Sequence, residues 1–427
     1  MTITFHDDAE FHEQIRRTVA AATRGGADLG EVLAIADRIP PGDFDTWYSA
    51  WRTAADKARE EGGAAAAAGE VASARRAYLR ASEYYRQASF YERGDLSSPR
   101  LQEAYRAHRA TFRAAVPLLP HRARVVSISH SGVEVRGYLF SPAGHAQSRP
   151  TIIAPAGYDS TAEAGYTFVA VSALERGFNC LVFEGPGQGG VLYELGLPLR
   201  HDFEAVLGPV VDWLVEQPEV DPSALVLMGR SFAGYLAPRA ATVEHRIAAL
   251  ICDPAQYDFG AAVRARAGQT LWRKIQADDA TVDPELDKFM ATPHQRNAFT
   301  WRMTAHGVTT LRAYFRELAR FNLIGVADQI ACPTLALSGE GDFAGTGQLH
   351  VFAQALRAPV STHEFTHLEG AGGHCEGLGQ DRFDQVVYGW ITRQLADKLT
   401  HTAQPAHGDN TNHWALPSAT PHHVPSV

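Results

Sequence analysis

A serine hydroxyl becomes an effective nucleophile when a neighbouring base takes its proton during attack, and that base needs an acceptor for its other ring nitrogen. Serine, histidine and a carboxylate are therefore the residue types that matter first. Ser231 stands in Gly229-Arg230-Ser231-Phe232-Ala233-Gly234, after the apolar run Ala224-Leu225-Val226-Leu227-Met228 and before a segment of helical composition. Small residues around a serine at a sharp strand-to-helix turn let the backbone hold strained angles without striking the following helix. Ala233 stands where such a turn usually carries its second glycine, a departure of one methyl group.

In one recurrent chain order of such triads the serine comes first, the acid follows a late strand and the histidine lies in a final loop. Asp342 follows Pro333-Thr334-Leu335-Ala336-Leu337-Ser338-Gly339-Glu340-Gly341, and His374 closes Glu369-Gly370-Ala371-Gly372-Gly373-His374. Glu340 competes with Asp342 for the acid role, although Asp342 better matches a loop returning toward the histidine. His363 and His367 fall at strand or strand-end positions and are weaker bases. Cys375, next to His374, offers a Cys–His alternative, but Ser231 has the stronger local context.

The oxyanion formed on attack needs preorganised backbone donors. Ala154-Pro155-Ala156-Gly157-Tyr158-Asp159-Ser160-Thr161-Ala162 follows the strand around Ile152-Ile153. It places the Tyr158 N–H as a first donor and the Phe232 N–H as a second, within a register that can shift by one residue. Gly157, Tyr158, Arg200 and His201 are candidate substrate contacts, set against ordinary turn, packing and helix-start roles. Phe183-Glu184-Gly185-Pro186-Gly187-Gln188-Gly189-Gly190 is glycine-rich but lacks the spacing of a dinucleotide site, so it reads as a tight turn over the pocket.

These residues need a sheet to hold them. The Ser131-Gly132 turn joins Val125–Ile128 to Val133–Phe140 as a hairpin. Short apolar strands around 151–154, 180–183, 224–227, 335–337 and 363–365 are separated mostly by helix-length segments. The fold class is α/β with a mostly parallel sheet covered by helices. Residues 1–120 read as an N-terminal helical domain whose aromatic residues, Trp47, Trp51, Tyr78, Tyr84, Tyr85, Phe90 and Tyr91, pack on the core or roof a pocket. The α/β domain spans 121–398, with a helical insertion at about 256–326. The Pro- and His-rich stretch 399–427 is expected to be a disordered tail.

At 427 residues, with 45% hydrophobic and 20% charged residues, the chain has the composition of a globular enzyme with more than one packed unit. A net charge of −9 argues against nucleic acid as a partner. No stretch reaches the roughly 18 apolar residues of a membrane span. The start lacks a basic region followed by a secretory apolar stretch, so a cytoplasmic location without a membrane partner is expected. Four separated cysteines form no CxxC pair and read as reduced structural thiols. No metal or cofactor is expected. The expected partner is a small carbonyl-containing substrate, and the assembly is compatible with a homodimer.

ASEYYRQASFY, APAGYDSTAE, FEGPGQG, GRSFAG, GEGD and GAGGH, spread from residue 81 to His374, together resemble one family. It comprises α/β hydrolases related to 2,6-dihydroxypseudooxynicotine hydrolase and to fungal enzymes that shorten polyketide chains. The resemblance implies an N-terminal helical cap on a hydrolase core, with Ser231, Asp342 and His374 as catalytic triad. It further implies cleavage of a carbon–carbon bond beside a carbonyl in a β-diketone, aryl ketone or polyketide-like molecule. Carboxylic ester hydrolysis and acyl transfer use the same nucleophile and stand as alternatives. A noncatalytic small-molecule-binding or scaffold protein is the reading outside enzymology, since fold alone does not guarantee activity.

Overall fold

The structure, a computed structural model, describes residues 4–144 and 147–396. The tail expected at 399–427 lies outside them. Eight strands form one sheet: β1 (Arg122–His130), β2 (Val133–Ser141), β3 (Arg149–Pro155), β4 (Asn179–Glu184), β5 (Val220–Arg230), β6 (Ile247–Asp253), β7 (Thr334–Gly339) and β8 (Val360–Phe365). Their order is β1-β2-β4-β3-β5-β6-β7-β8. β1 and β2 are antiparallel, β2 is antiparallel to β4, and every other neighbouring pair is parallel. The α/β class with a mostly parallel sheet is therefore the observed architecture. At the hairpin, Ser131 and Gly132 both take positive φ, 49° and 78°, the sign that a two-residue primed turn requires.

Period-two alternation sends successive side chains of the parallel strands to opposite faces. Leu225 and Leu227 join one core with Val210 and Leu236, while Val226 and Met228 join the other with Val387 and Ile391. Helices Glu204–Val215 and Ala233–Ala241 thus cover one face, and helix Gln380–Gln394 covers the second. β6 is absent from the strands expected above. Its Ile247-Ala-Ala-Leu-Ile-Cys run is short and lacks β-branched or aromatic enrichment apart from its isoleucines, so its strand character comes from pairing with β5 and β7.

The N-terminal region consists of helices Ala9–Ala20, Leu29–Ala36, Phe44–Ala67, Val71–Ser89 and Pro99–Ala115, together with shorter turns. Asp8, Asp28, Asp43 and Ser98 cap four of them by accepting first-turn N–H groups. The alanine-rich tract at 64–68 extends the third helix, and Gly69 (φ 76°) ends it. Trp47, Trp51, Tyr84 and Tyr85 are fully buried and pack with Phe11 and Tyr91 in a core internal to this region. The insertion departs at Tyr257 and returns at Leu323. Phe259 N–H to Phe321 O (3.0 Å) and Leu323 N–H to Tyr257 O (2.8 Å) close its base. Its helices Ala261–Gln276, Asp283–Leu286, Pro293–Ala305 and Leu311–Leu318 surround their own apolar cluster.

Trp47 also donates its indole N–H to Gln87 O at 2.7 Å. Trp47→Ala is expected to lower the unfolding free energy by about 3–5 kcal/mol, as for a buried aromatic truncated to a cavity. Urea denaturation measures this, and a loss below about 0.5 kcal/mol would place the indole outside any packed core.

Candidate active site

Ser231 follows β5 and precedes helix Ala233–Ala241, with φ at 60°. A non-glycine residue in this left-handed region is uncommon and must be held there by its surroundings. Ser231 N–H donates to Asp253 O at 2.6 Å, while its carbonyl accepts from Gly234 N–H at 2.9 Å and from Gln256 Nε2 at 2.7 Å. A Cβ on Gly229 would meet Ala233 O at 2.0 Å, and one on Gly234 would meet Pro254 O at the same distance. The close approaches that demand glycine thus fall on 229 and 234, and the Ala233 methyl group is accommodated in the core.

Three loops at the carboxyl ends of the parallel strands bring the remaining groups together, the region where sheets of this kind place their sites. His374 Nε2 lies 2.8 Å from Ser231 Oγ, and His374 Nδ1 lies 2.9 Å from Asp342 Oδ1. Asp342 follows β7, is buried, and also accepts the Ala344 N–H at 2.8 Å. Glu340 is turned elsewhere: its carboxylate accepts the His367 N–H at 2.8 Å at the surface. The chain Ser231–His374–Asp342 can move a proton off the hydroxyl and stabilise the imidazolium that results. Burial works against charging His374, but Cys375 and Asp342 outweigh it and hold the ring well above the ordinary histidine range.

Arg230, the residue before the serine, carries a role that the sequence reading did not assign. Its Nε donates to Asp253 Oδ2 (2.9 Å), Nη1 to Gln380 Oε1 (3.0 Å), and Nη2 to Cys375 O and Glu376 Oε2 (both 2.9 Å). The guanidinium also stacks over Phe383 at 4.0 Å. Burial and the adjacent Asp253 push the Glu376 carboxyl well above the usual range, against the pull of Arg230. The only sequence signal was a charged residue in an otherwise small-residue and apolar turn.

Next to the serine, a Cβ on Gly157 would stand 3.0 Å from Ser231 Cβ and 3.4 Å from its Oγ, so the segment after β3 passes directly beside the nucleophilic oxygen. Among the described residues, the N–H groups of Tyr158 and Phe232 have no protein acceptor. The glycine-rich loop after β4 braces this segment. Gln188 Nε2 donates to Ala156 O, and Glu184 accepts the Ala162 N–H (3.3 Å), Gly190 N–H (2.7 Å) and Tyr105 hydroxyl (3.0 Å). Burial and nearby Glu163 push Glu184 up to about 8. A Cβ on Gly189 would lie 1.9 Å from Glu184 Oε2, which gives the glycine a packing reason unrelated to phosphate.

Ser231, His374, Gly157 and Tyr158 open on a cavity of about 1300 Å³. The insertion lines it with Val263, Leu271, Phe289, Phe299, Trp301 and Phe315; the first N-terminal helix adds Glu13, Gln14, Arg16 and Arg17. The N-terminal domain thus reaches the cavity through a largely polar helix face. Of the aromatic residues expected to roof a pocket, Tyr78 packs against the core on the sheet and the others stay in their own core. The Tyr158 ring packs on Phe232 (4.8 Å) and Trp301 (4.6 Å). Arg200 and His201 do not line the cavity, which corrects their expected role as substrate contacts. Arg200 pairs with Asp202 at 2.8 Å, His201 O accepts the Tyr235 hydroxyl, and its ring lies 3.3 Å from Arg320 Nη2. Among the described residues, no cluster of His, Cys, Asp and Glu is arranged to hold a metal, and no helix is long and apolar enough to cross a membrane.

No family model matches the chain. It is 30% identical over 422 residues to the hydrolase acrC of Aspergillus aculeatus, spanning 92% of this chain and 98% of that protein. It is 32% identical over 348 residues to the 20-hydroxy-prefusarin hydrolase FUS2 of Gibberella moniliformis, spanning 78% and 82%. Among solved structures, 2,6-dihydroxy-pseudo-oxynicotine hydrolase superposes with a TM-score of 0.70 at 22% identity, over 89% of this chain and 96% of that one. AbyA5 follows with 0.64 at 19% identity, over 91% and 95%. With a sheet of this order, helices on both faces and hydrolases as relatives along nearly its whole length, the chain belongs to the α/β-hydrolase family.

Proposed function

We propose that this hydrolase is serine-dependent and cleaves a carbon–carbon bond adjacent to a carbonyl in a β-diketone, aryl-ketone or polyketide-like small molecule. The observation that carries the serine mechanism is the hydrogen-bonded Ser231–His374–Asp342 chain, facing a cavity of about 1300 Å³ beside two unengaged backbone N–H groups. Ser231 Oγ attacks the substrate carbonyl while His374 Nε2, in the neutral form of the ring, accepts its proton. The Asp342 carboxylate stabilises the imidazolium, and the N–H groups of Tyr158 and Phe232 hold the developing oxyanion, each such donor being worth about 10²–10³ in rate.

Collapse of the tetrahedral intermediate breaks the bond to carbon, and the electron pair leaves with that carbon as an enolate or an aryl-stabilised carbanion. His374 returns its proton to the leaving carbon. Water, deprotonated by the same histidine, then releases the acyl group from Ser231 as a carboxylate. A second carbonyl or an electron-rich ring must accept the electron pair, and that need selects a β-diketone or aryl ketone. The resemblance of the motif set to carbon–carbon hydrolases supports this choice over the ester, whose alkoxide leaves without such a sink. The aromatic lining from Phe289, Phe299 and Trp301 suits a bulky apolar acyl chain.

Asp342→Asn is expected to lower kcat by about 10⁴, because the histidine loses its tautomer and its counter-charge. Glu340→Gln, whose partner is the His367 amide, should leave kcat nearly unchanged. Steady-state kinetics on both folded variants decides this, and a larger loss in Glu340→Gln would reverse the acid assignment. For the reaction itself, a 1,3-diketone and an ester of matched skeleton are compared by chromatography and mass spectrometry in oxygen-18 water. The diketone should have the higher kcat/KM and place the label in the carboxylate product, and Ser231→Ala should lower turnover by about 10⁴-fold or more. Ester preference across several skeletons with no carbon–carbon cleavage moves the assignment to esterase. Acyl delivery to an added nucleophile in preference to water moves it to acyltransferase.

A further inference from the structure

Three arginines from different parts of the chain crowd around one carboxylate at the cavity wall. Asp159, next in sequence to Tyr158, accepts from Arg93 Nη1 at 2.9 Å and has Arg17 Nη1 at 3.9 Å. Arg302, on insertion helix Pro293–Ala305, contributes a third positive charge to the surroundings of the same carboxylate. Arg93 is covered, stacked between Phe90 (3.8 Å) and Trp301 (4.0 Å). Arg17, Asp159 and Arg302 all line the cavity. Among the described residues, no carboxylate comes within ion-pairing distance of Arg302 and no acceptor receives a hydrogen bond from it; the Phe299 ring lies 5.5 Å away.

The charges do not balance. Arg86 nearby pairs with Glu83 at 2.6 Å, and Glu10, the other acid that acts on Arg302, is exposed and lies 3.7 Å from His294. Asp159 therefore faces three guanidinium groups, with Glu83, already paired to Arg86, the further acid that acts on Arg17. Arg17, Asp159 and Arg302 are half-buried, and an excess of positive charge partly withdrawn from water is unfavourable unless an anion compensates it. At the outer part of the same cavity, Arg266 and Lys288 are exposed without a carboxylate partner among the described residues, on a chain whose net charge is −9. A cationic approach on an otherwise acidic protein draws anionic ligands inward.

We propose that Arg302 and Arg17 form a subsite for a delocalised two-oxygen anion on the substrate, a carboxylate or the ionised enol of a 1,3-dicarbonyl. This rests on the hydrolase reading above and narrows it to acidic substrates. The planar guanidinium fork of Arg302 matches two coplanar oxygens, and the aromatic wall of Tyr158, Phe299 and Trp301 holds the carbon skeleton beside it.

Calorimetric titration of the full chain tests the subsite without turnover, using octanoate as the carboxylate, 1,3-cyclohexanedione as the ionised enol, and octanamide and cyclohexanone as their respective neutral counterparts. At least one anion should bind about tenfold or more tighter than its neutral counterpart, and Arg302→Met should abolish that difference. Which anion prevails identifies the source of the oxygens. Neutral probes binding as tightly as both anions, or a preference unchanged in Arg302→Met, overturns the proposal. Should that variant fail to fold, salt decides: wild-type anion affinity that does not fall between about 0.05 and 0.5 M ionic strength also overturns it. Fluorophosphonate labelling of Ser231 is read in parallel. Anion preference without labelling keeps the subsite and sinks the serine mechanism, whereas labelling without anion preference does the reverse.

Discussion

The buried guanidinium of Arg230 ties the end of β5 to the end of β6, to the loop carrying His374 and to helix Gln380–Gln394. The proposed nucleophile next to it sits at a positive φ of 60°, a backbone state that costs about 1–3 kcal/mol and persists only when its surroundings over-determine it. Arg230 supplies much of that determination. Asp253 serves twice, its carboxylate receiving Arg230 Nε and its carbonyl receiving the Ser231 N–H. Removing one member of such a buried ionic group leaves an uncompensated charge, typically a loss of about 3–5 kcal/mol. Burial and the adjacent Asp253 push the Glu376 carboxyl up, against the pull of Arg230, so the two acids of the cluster are not equivalent partners of the guanidinium.

A second brace stands on the other side of the serine. Glu184 at the end of β4 holds the segment after β3, the glycine-rich loop and Tyr105 of the N-terminal domain in one hydrogen-bonded group. The two braces act on the two halves of the site. Arg230 aligns serine with histidine, while Glu184 and Gln188 fix the backbone that presents the Tyr158 N–H. Both lie at strand ends, so the rigidity of the sheet passes into the loops without long side-chain levers. Above this base the insertion and the first N-terminal helix set the size, apolar lining and charge of the cavity.

What could be read from the sequence follows the range of the forces involved. The Ser131-Gly132 hairpin and the serine turn are local steric problems solved by local residues, and both were legible. The order of serine, acid and histidine came from chain topology. Asp342 is preferred to Glu340, two residues earlier, for a loop returning toward the histidine. In the structure the two side chains leave the loop after β7 in different directions, Asp342 toward His374 and Glu340 toward the His367 amide. Arg200 and His201 looked well placed by proximity to the glycine-rich loop, yet Asp202, Tyr235 and Arg320 draw them away from the cavity. The polar face of helix Ala9–Ala20 reaches the site from more than two hundred residues away, and nothing in its own composition marks it as lining. β6 escaped notice because its small residues acquire strand geometry only between two neighbours.

In the proposed mechanism the turn after β5 aims Ser231 so that the oxyanion lands on the Tyr158 and Phe232 amides. A crystal structure of the chain inactivated by a fluorophosphonate tests it most directly, because the tetrahedral phosphorus mimics the intermediate. Phosphorus is expected on Ser231 Oγ, with one phosphonyl oxygen about 3 Å from both amide nitrogens. Phosphorus on Cys375, or a phosphonyl oxygen bonded to neither amide, would contradict it.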